Sequence, residues 1–141
     1  MTPPPTPVEA LVRDAARLVD VFGQFDLHEA ELRGVRVTLG PGNVPELEID
    51  LRLPGGAALP SGTAKRGSDY HVTLRAVDVS GLSLADFEPD NVVSEYAITP
   101  DGPDDDGQPT VHVALTCAPG CDVDFRCREL AVIDVAPAGG A

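Results

Sequence analysis

One stretch of helical period opens this chain, and after it, between Leu32 and Val135, the apolar residues recur at every second position in a series of short runs separated by turns. Leu11, Ala15, Leu18 and Phe22 fall at helical spacing, Val8, Val12 and Val19 widen the stripe, and Arg13, Asp14, Arg17 and Asp20 take the other face. Thr6-Pro7-Val8-Glu9 has the spacing of a capping box, so the pattern predicts a helix over Pro7–Phe22. From Leu32 the period is two. Val35, Val37 and Leu39 alternate with Arg36 and Thr38, and Leu47, Ile49, Leu51 and Leu53 with Glu48, Asp50 and Arg52. Further strands fit Val72, Leu74 and Ala76, then Val92 to Ile98, Val111 to Cys117, Cys121 to Cys127, and Leu130 to Val135.

Short turns join these strands and no second helix is available for a parallel crossover, so the sheet is expected to be antiparallel. One helix covers only part of one face. The rest must curl on itself, pack on a second sheet, or meet another subunit as in a homodimer. The expected class is α+β, mostly β: an N-terminal helix packed on a strongly twisted antiparallel sheet or small sandwich of about seven strands. Its expected core holds Leu11, Leu18, Phe22, Val37, Ile49, Leu51, Leu74, Val113, Val123 and Phe125. Leu32 is out of phase with Val35, and Gly34 between them marks a bulge; Val77 and Val79 break the phase of Val72 to Ala76 and suggest another. Pro54 to Ser68 has no period and reads as a long mobile hairpin loop. Residues 1–5 read as a disordered Pro-rich tail, 6–136 as a single domain and 137–141 as a flexible C-terminal tail.

With 141 residues the chain suits one domain. No apolar run approaches the roughly 18 residues of a membrane span, and Met1-Thr2-Pro3-Pro4-Pro5-Thr6 lacks the basic and apolar regions of a secretory signal, so a cytoplasmic location is expected. A net charge of −13 repels nucleic acid and anionic membrane alike. It is unevenly placed. Residues 86–141 hold twelve acidic side chains against Arg126 and Arg128, which makes this part a negative pole. Such a field either steers a basic partner toward it or serves solubility.

No motif for chemistry stands up. His28-Glu29-Ala30-Glu31-Leu32 begins like a zinc-protease helix but lacks the second histidine and lies on a turn. Cys117, Cys121 and Cys127 with His112 suffice in number for a metal, yet the spacing is not that of paired knuckles and the cysteines share the phase of core residues. Cys117 and Cys121 flank a short turn where a disulfide is conceivable, but an odd cysteine count favours free thiols. Asp104-Asp105-Asp106 lacks the spacing of a calcium loop, and neither a nucleophile elbow nor a phosphate-binding glycine loop is present. No catalytic residue, metal or cofactor is expected.

Phe22-Gly23-Gln24-Phe25-Asp26-Leu27-His28-Glu29 is an unusual connection, with Gly23 suited to end a helix and an aromatic and a titratable ring behind it. His28 is expected to pin this turn by hydrogen bonding. Three blocks, Phe22 to Leu32, Val77 to Glu95 and Phe125 to Val135, together resemble the immunity protein family numbered fifty of bacterial polymorphic toxin systems. Phe22, Gly23, His28, Ala30 and Glu31 match its first block, Leu84, Asp86, Phe87, Asn91 and Val92 its second, and Phe125, Cys127, Val132 and Val135 its third. Leu27, Glu29, Glu88 and Asp90 depart from the family pattern. The resemblance covers residues 18–136, and Phe22, Gly23, His28, Asp86, Phe87 and Asn91 from it, with Phe25 and Glu29 of the same connection, are the expected structural motif.

Its implied function is to bind and neutralise a cognate toxin of the same cell by steric blocking, without catalysis. On charge, Asp101, Asp104, Asp105, Asp106, Glu88 and Asp90 are the expected partner-binding residues, suited to a basic toxin such as a nuclease. A self-associating structural or ligand-binding β-domain without a toxin partner is the alternative, and a metal-dependent enzyme built on His28, Glu29 and the cysteines is a third reading.

Overall fold

A computed structural model describes residues 8–65, 67–86, 91–118 and 120–138. Two short helices, α1 (Val8–Leu11) and α2 (Ala16–Phe22), flank a two-residue strand β1 (Val12–Arg13). Eight further strands follow: β2 (Glu31–Leu39), β3 (Pro45–Pro54), β4 (Asp69–Val77), β5 (Ser80–Ala85), β6 (Val92–Pro103), β7 (Pro109–Ala118), β8 (Asp122–Cys127) and β9 (Glu129–Pro137). They form one sheet in the order β1-β9-β4-β3-β2-β6-β7-β8-β5.

That order forces the sheet to curl. Only Arg128 separates β8 from β9, yet they stand eighth and second; β4 and β5, third and ninth, are separated by Asp78 and Val79 alone. At the bend Asp78 has a positive φ of 61°, and Arg128 N–H donates to the Val77 carbonyl at 2.9 Å. In mid-sheet β2 and β6 are paired only at Glu31 and Val92, flanked by the Leu32 to Asn91 and Val93 to Ala30 bonds, each 2.8 Å. The result is two blades, β1-β9-β4-β3-β2 and β6-β7-β8-β5. Alternation turns one face of each blade inward: Leu47, Ile49, Leu51, Leu74 and Val132 from the first, Val113, Leu115, Val123 and Phe125 from the second, all essentially buried. α2 adds Leu18 and Phe22, the latter with its ring edge-on to Tyr70 at 5.5 Å.

Several expectations are corrected. The helix over Pro7–Phe22 is broken. Val12 and Arg13 are extended and pair in parallel with Leu130 and Ala131, Asp14 takes a φ of 56°, and Arg13 reaches Glu129 at 2.9 Å. Burying β-branched Val12 beside β9 outweighs helical continuity, and it makes the sheet mixed. Thr6 and Pro7 lie outside the described residues. Nine strands replace seven: two-residue β1 is too short to show a period, and β5 is exposed along its whole length, so neither face of it is marked by burial. Val37 is 55% exposed: it shares the face of buried Leu47 but stands on the outer edge of the first blade. Leu11 is half-buried. The bulge at Gly34 is present, whereas the phase change at Val77 is the bend into β5.

The Pro54 to Ser68 connection is packed rather than loose. Its Leu59, Thr63 and Ala64 N–H groups donate to the carbonyls of Phe22, Asp20 and Val21, which end α2 without partners of their own. Gly23 at φ 79° ends the helix, and Gly62 comes so close that an added Cβ would lie 2.4 Å from the Val21 oxygen. At the other end Pro137 belongs to β9 and the Ala138 N–H donates to Asp69, so the tail expected from 137 is held through 138.

Gly62→Ala is therefore expected to lower stability by about 1–3 kcal/mol, since only backbone could move aside. Leu74→Ala should cost about 2–5 kcal/mol, against less than about 0.5 for exposed Leu39→Ala. Chemical denaturation of the three variants checks this ranking.

Candidate functional site

The acidic turn predicted between β6 and β7 is built around Asp104. Its carboxylate accepts the N–H groups of Asp106 and Gln108, each at 2.9 Å, while the Gly107 N–H donates to the Asp104 carbonyl. Arg128, from the bend between blades, places one guanidinium nitrogen 2.9 Å from Asp104, 3.2 Å from Asp78 and 3.6 Å from Asp106. Arg126 donates to Asp101 at 2.5 Å. The Gln108 amide first, with Arg128 and the Asp106 amide, holds the Asp104 carboxyl below the usual aspartate range. Of the six expected partner-binding residues, Asp101, Asp104 and Asp106 are thus engaged within the protein and Asp105 is exposed. Glu88 and Asp90 lie outside the described residues.

A wider acidic surface continues from this hairpin. On the outer face of the second blade Glu95 pairs across to Thr116 and Asp122, Ala97 to Ala114 and Asp124, and Thr99 to His112 and Arg126. His112 bonds Asp124, its Nε2 3.0 Å from both carboxylate oxygens, on the face of β7 opposite buried Cys117. Ala97 and Ala114 leave a shallow hollow of about 100 Å³ beside Glu95. Glu95, Asp122 and Asp124 were missed as site residues, although their alternation with Val123 and Phe125 already put the last two on one outer face.

Of the motif residues, Phe25, His28, Glu29 and Asn91 lie at the seam between blades, beside Tyr96 and Val93 of β6 or bonded to β2. Phe22, Phe25 and Asn91 are buried, and Gly23 ends α2. His28 is exposed. Its N–H donates to Asp26 at 2.9 Å, its Nδ1 lies 2.7 Å from the same oxygen, and its ring meets Tyr96 edge-on at 5.1 Å. Tyr96 in turn donates its hydroxyl to the Phe25 carbonyl at 3.2 Å, so His28 belongs to a hydrogen-bonded turn as expected. Burial, then the Asp26 charge, pushes the Tyr96 hydroxyl up. Glu29 and Asp86 both take positive φ, 68° and 57°. Phe87 lies outside the described residues.

All three cysteines are free and buried. Cys117 and Cys121 face each other across the β7–β8 turn, where the Cys117 N–H donates to the Cys121 carbonyl at 2.7 Å. Burial pushes the Cys117 thiol up to about 11, with Cys121 and Asp122 adding to it, and the Cys127 thiol up to about 12. No group of three or more metal-ligating side chains converges among the described residues. Comparison with protein families, curated proteins and solved structures yields no match.

Three outcomes follow from this geometry. Arg128→Ala should speed hydrogen exchange at Asp106 and Gln108 by roughly threefold to tenfold while the blades keep their protection. Because the folded Asp104 carboxyl is depressed, its contribution to the hairpin is present above the ordinary aspartate pKa of about 4 and disappears as pH falls through the depressed value. Hydrogen exchange across that range reads it. At pH 8 the Cys117 thiolate fraction is about a thousandth, so a thiol reagent should react slowly with native protein and at once with all three cysteines in denaturant.

Proposed function

We propose that this chain is an immunity protein that binds a cognate toxin of the same cell and blocks it sterically, with no chemistry of its own. The resemblance of its three sequence blocks supports the class of partner, and the acidic outer face of β6, β7 and β8 carries the reading. Glu95, Asp122 and Asp124 stand around a floor of Ala97 and Ala114, so a lysine or arginine of a basic toxin can approach the backbone between carboxylates. Asp105 at the hairpin tip extends the same field.

Within that field the charges divide by role. Asp101 and Asp104 hold the hairpin through Arg126 and Arg128, while Glu95, Asp105 and Asp122 steer. Steering charges act over a screened range on the association rate; close contacts set dissociation. The variant Glu95→Gln, Asp105→Asn, Asp122→Asn leaves the Asp104 turn untouched. Stopped-flow mixing with the cognate toxin domain should show association slowed about tenfold at low salt, a flatter salt dependence and nearly unchanged dissociation. No binding of that toxin by the parent protein would overturn the reading; an unchanged association rate would remove the acidic face from it.

A further inference from the structure

Three strands end the sheet or leave one edge open. β1 has two residues, and β5 is interrupted by a register shift between Ser80 and Ser83 with Gly81 at a positive φ of 63°, both ordinary ways of blunting an edge. β2 has no such protection. Beyond Leu32 no described strand pairs with its outer edge, and Val35 to Leu39 run there in regular register with β3. It contains no proline. Its two arginines do not guard it either, because Arg36 is paired with Glu48 and Arg33 with Glu31. On the core-facing side of this edge Val37 is 55% and Leu39 67% exposed, continuing the row of buried Leu47 and Ile49.

We propose that this edge pairs antiparallel with β2 of a second copy of the chain, about a two-fold axis at Val37. The segment Val35-Arg36-Val37-Thr38-Leu39 is self-complementary in that register. Val37 then faces its own copy and Val35 faces Leu39, which places six apolar side chains side by side on one face. On the other face Arg36 meets Thr38. Shifting the axis by one residue, to Arg36, would set two guanidinium groups directly opposite each other. The pairing covers the exposed valine and leucine and supplies the missing backbone partners. Five residues a side make a small interface, so the dimer is reversible and depends on concentration. Each copy carries a charge of −13, and added salt screens their repulsion and tightens the dimer. Capture of a basic toxin has the opposite salt dependence, so the two proposals stand or fall separately.

Sedimentation equilibrium of the full chain, from micromolar to millimolar at low and high salt, tests this directly. The expected result is a monomer–dimer equilibrium that tightens with salt and whose dissociation constant rises at least tenfold in Val37→Lys, with the thermal midpoint of the dilute monomer unchanged. Val37→Cys should cross-link to a disulfide-bonded dimer under mild oxidation, while the parent, whose own cysteines are buried, does not. A parent monomeric throughout, as when the edge is kept for a strand of another protein, would overturn the proposal. So would dimerisation unaffected by Val37→Lys, or failure of Val37→Cys to cross-link.

Discussion

The whole architecture turns on the bend where Asp78 and Arg128 lie side by side. Two chain segments cross from one blade to the other at that place, β4 into β5 and β8 into β9, and each does so within two residues. The left-handed backbone at Asp78 supplies the change of direction, and the Arg128 N–H ties the two crossings together through the Val77 carbonyl. The same residue's side chain collects Asp78, Asp104 and Asp106. A single arginine therefore sits at the closure of the core and at the base of the acidic hairpin. Exposed pairs of this kind contribute little to stability singly. Their effect is geometric, fixing where the hairpin stands relative to the blades.

The outer faces of the two blades differ in electrostatic character. On the first, Glu48 lies between Arg36 and Arg75, and Arg75 also approaches Glu46 at 3.8 Å, so charges of both signs alternate across the strands. The hydrogen bond from Arg75 is the main reason the Glu48 carboxyl lies below its ordinary range. On the second, carboxylates dominate and His112 is already bonded to Asp124. Net charge alone does not distinguish a uniformly acidic surface from one acidic and one mixed face. The strand register does, because it decides which side chains become neighbours.

Much of this was legible in the sequence where one face of a strand is buried and the other wet. Leu47 to Leu53 and Val111 to Cys127 alternate without error, and nine of ten expected core residues lie in the core or packed against it. The failures have physical causes. Val37 has the right phase, but phase does not say whether a strand stands in mid-sheet or at an edge. The helix was broken by a parallel pairing with residues more than a hundred positions away, which no local pattern reports. The Gly-rich connection looked loose because its backbone N–H groups, not its side chains, make the contacts with α2. The site was legible in its charge and not in its arrangement: which aspartates are held by arginines depends on how the β6–β7 hairpin meets the bend.

The position of β9 has a consequence for how the molecule is made. This strand comes after all the others in the chain yet lies between β1 and β4, lining the core with Leu130 and Val132. During synthesis the hairpins β2–β3–β4 and β6–β7–β8 emerge in order and can each pair locally, but β4 keeps a bare edge and β1 has nothing to join. Closure must wait until the ribosome has delivered residues 129 to 137, and it then links the two extremes of the fold in one step. Such long-range pairing makes folding slow, with partly assembled sheets exposed meanwhile. Truncation before β9 would accordingly leave a nascent chain caught in that half-built state rather than a slightly smaller protein.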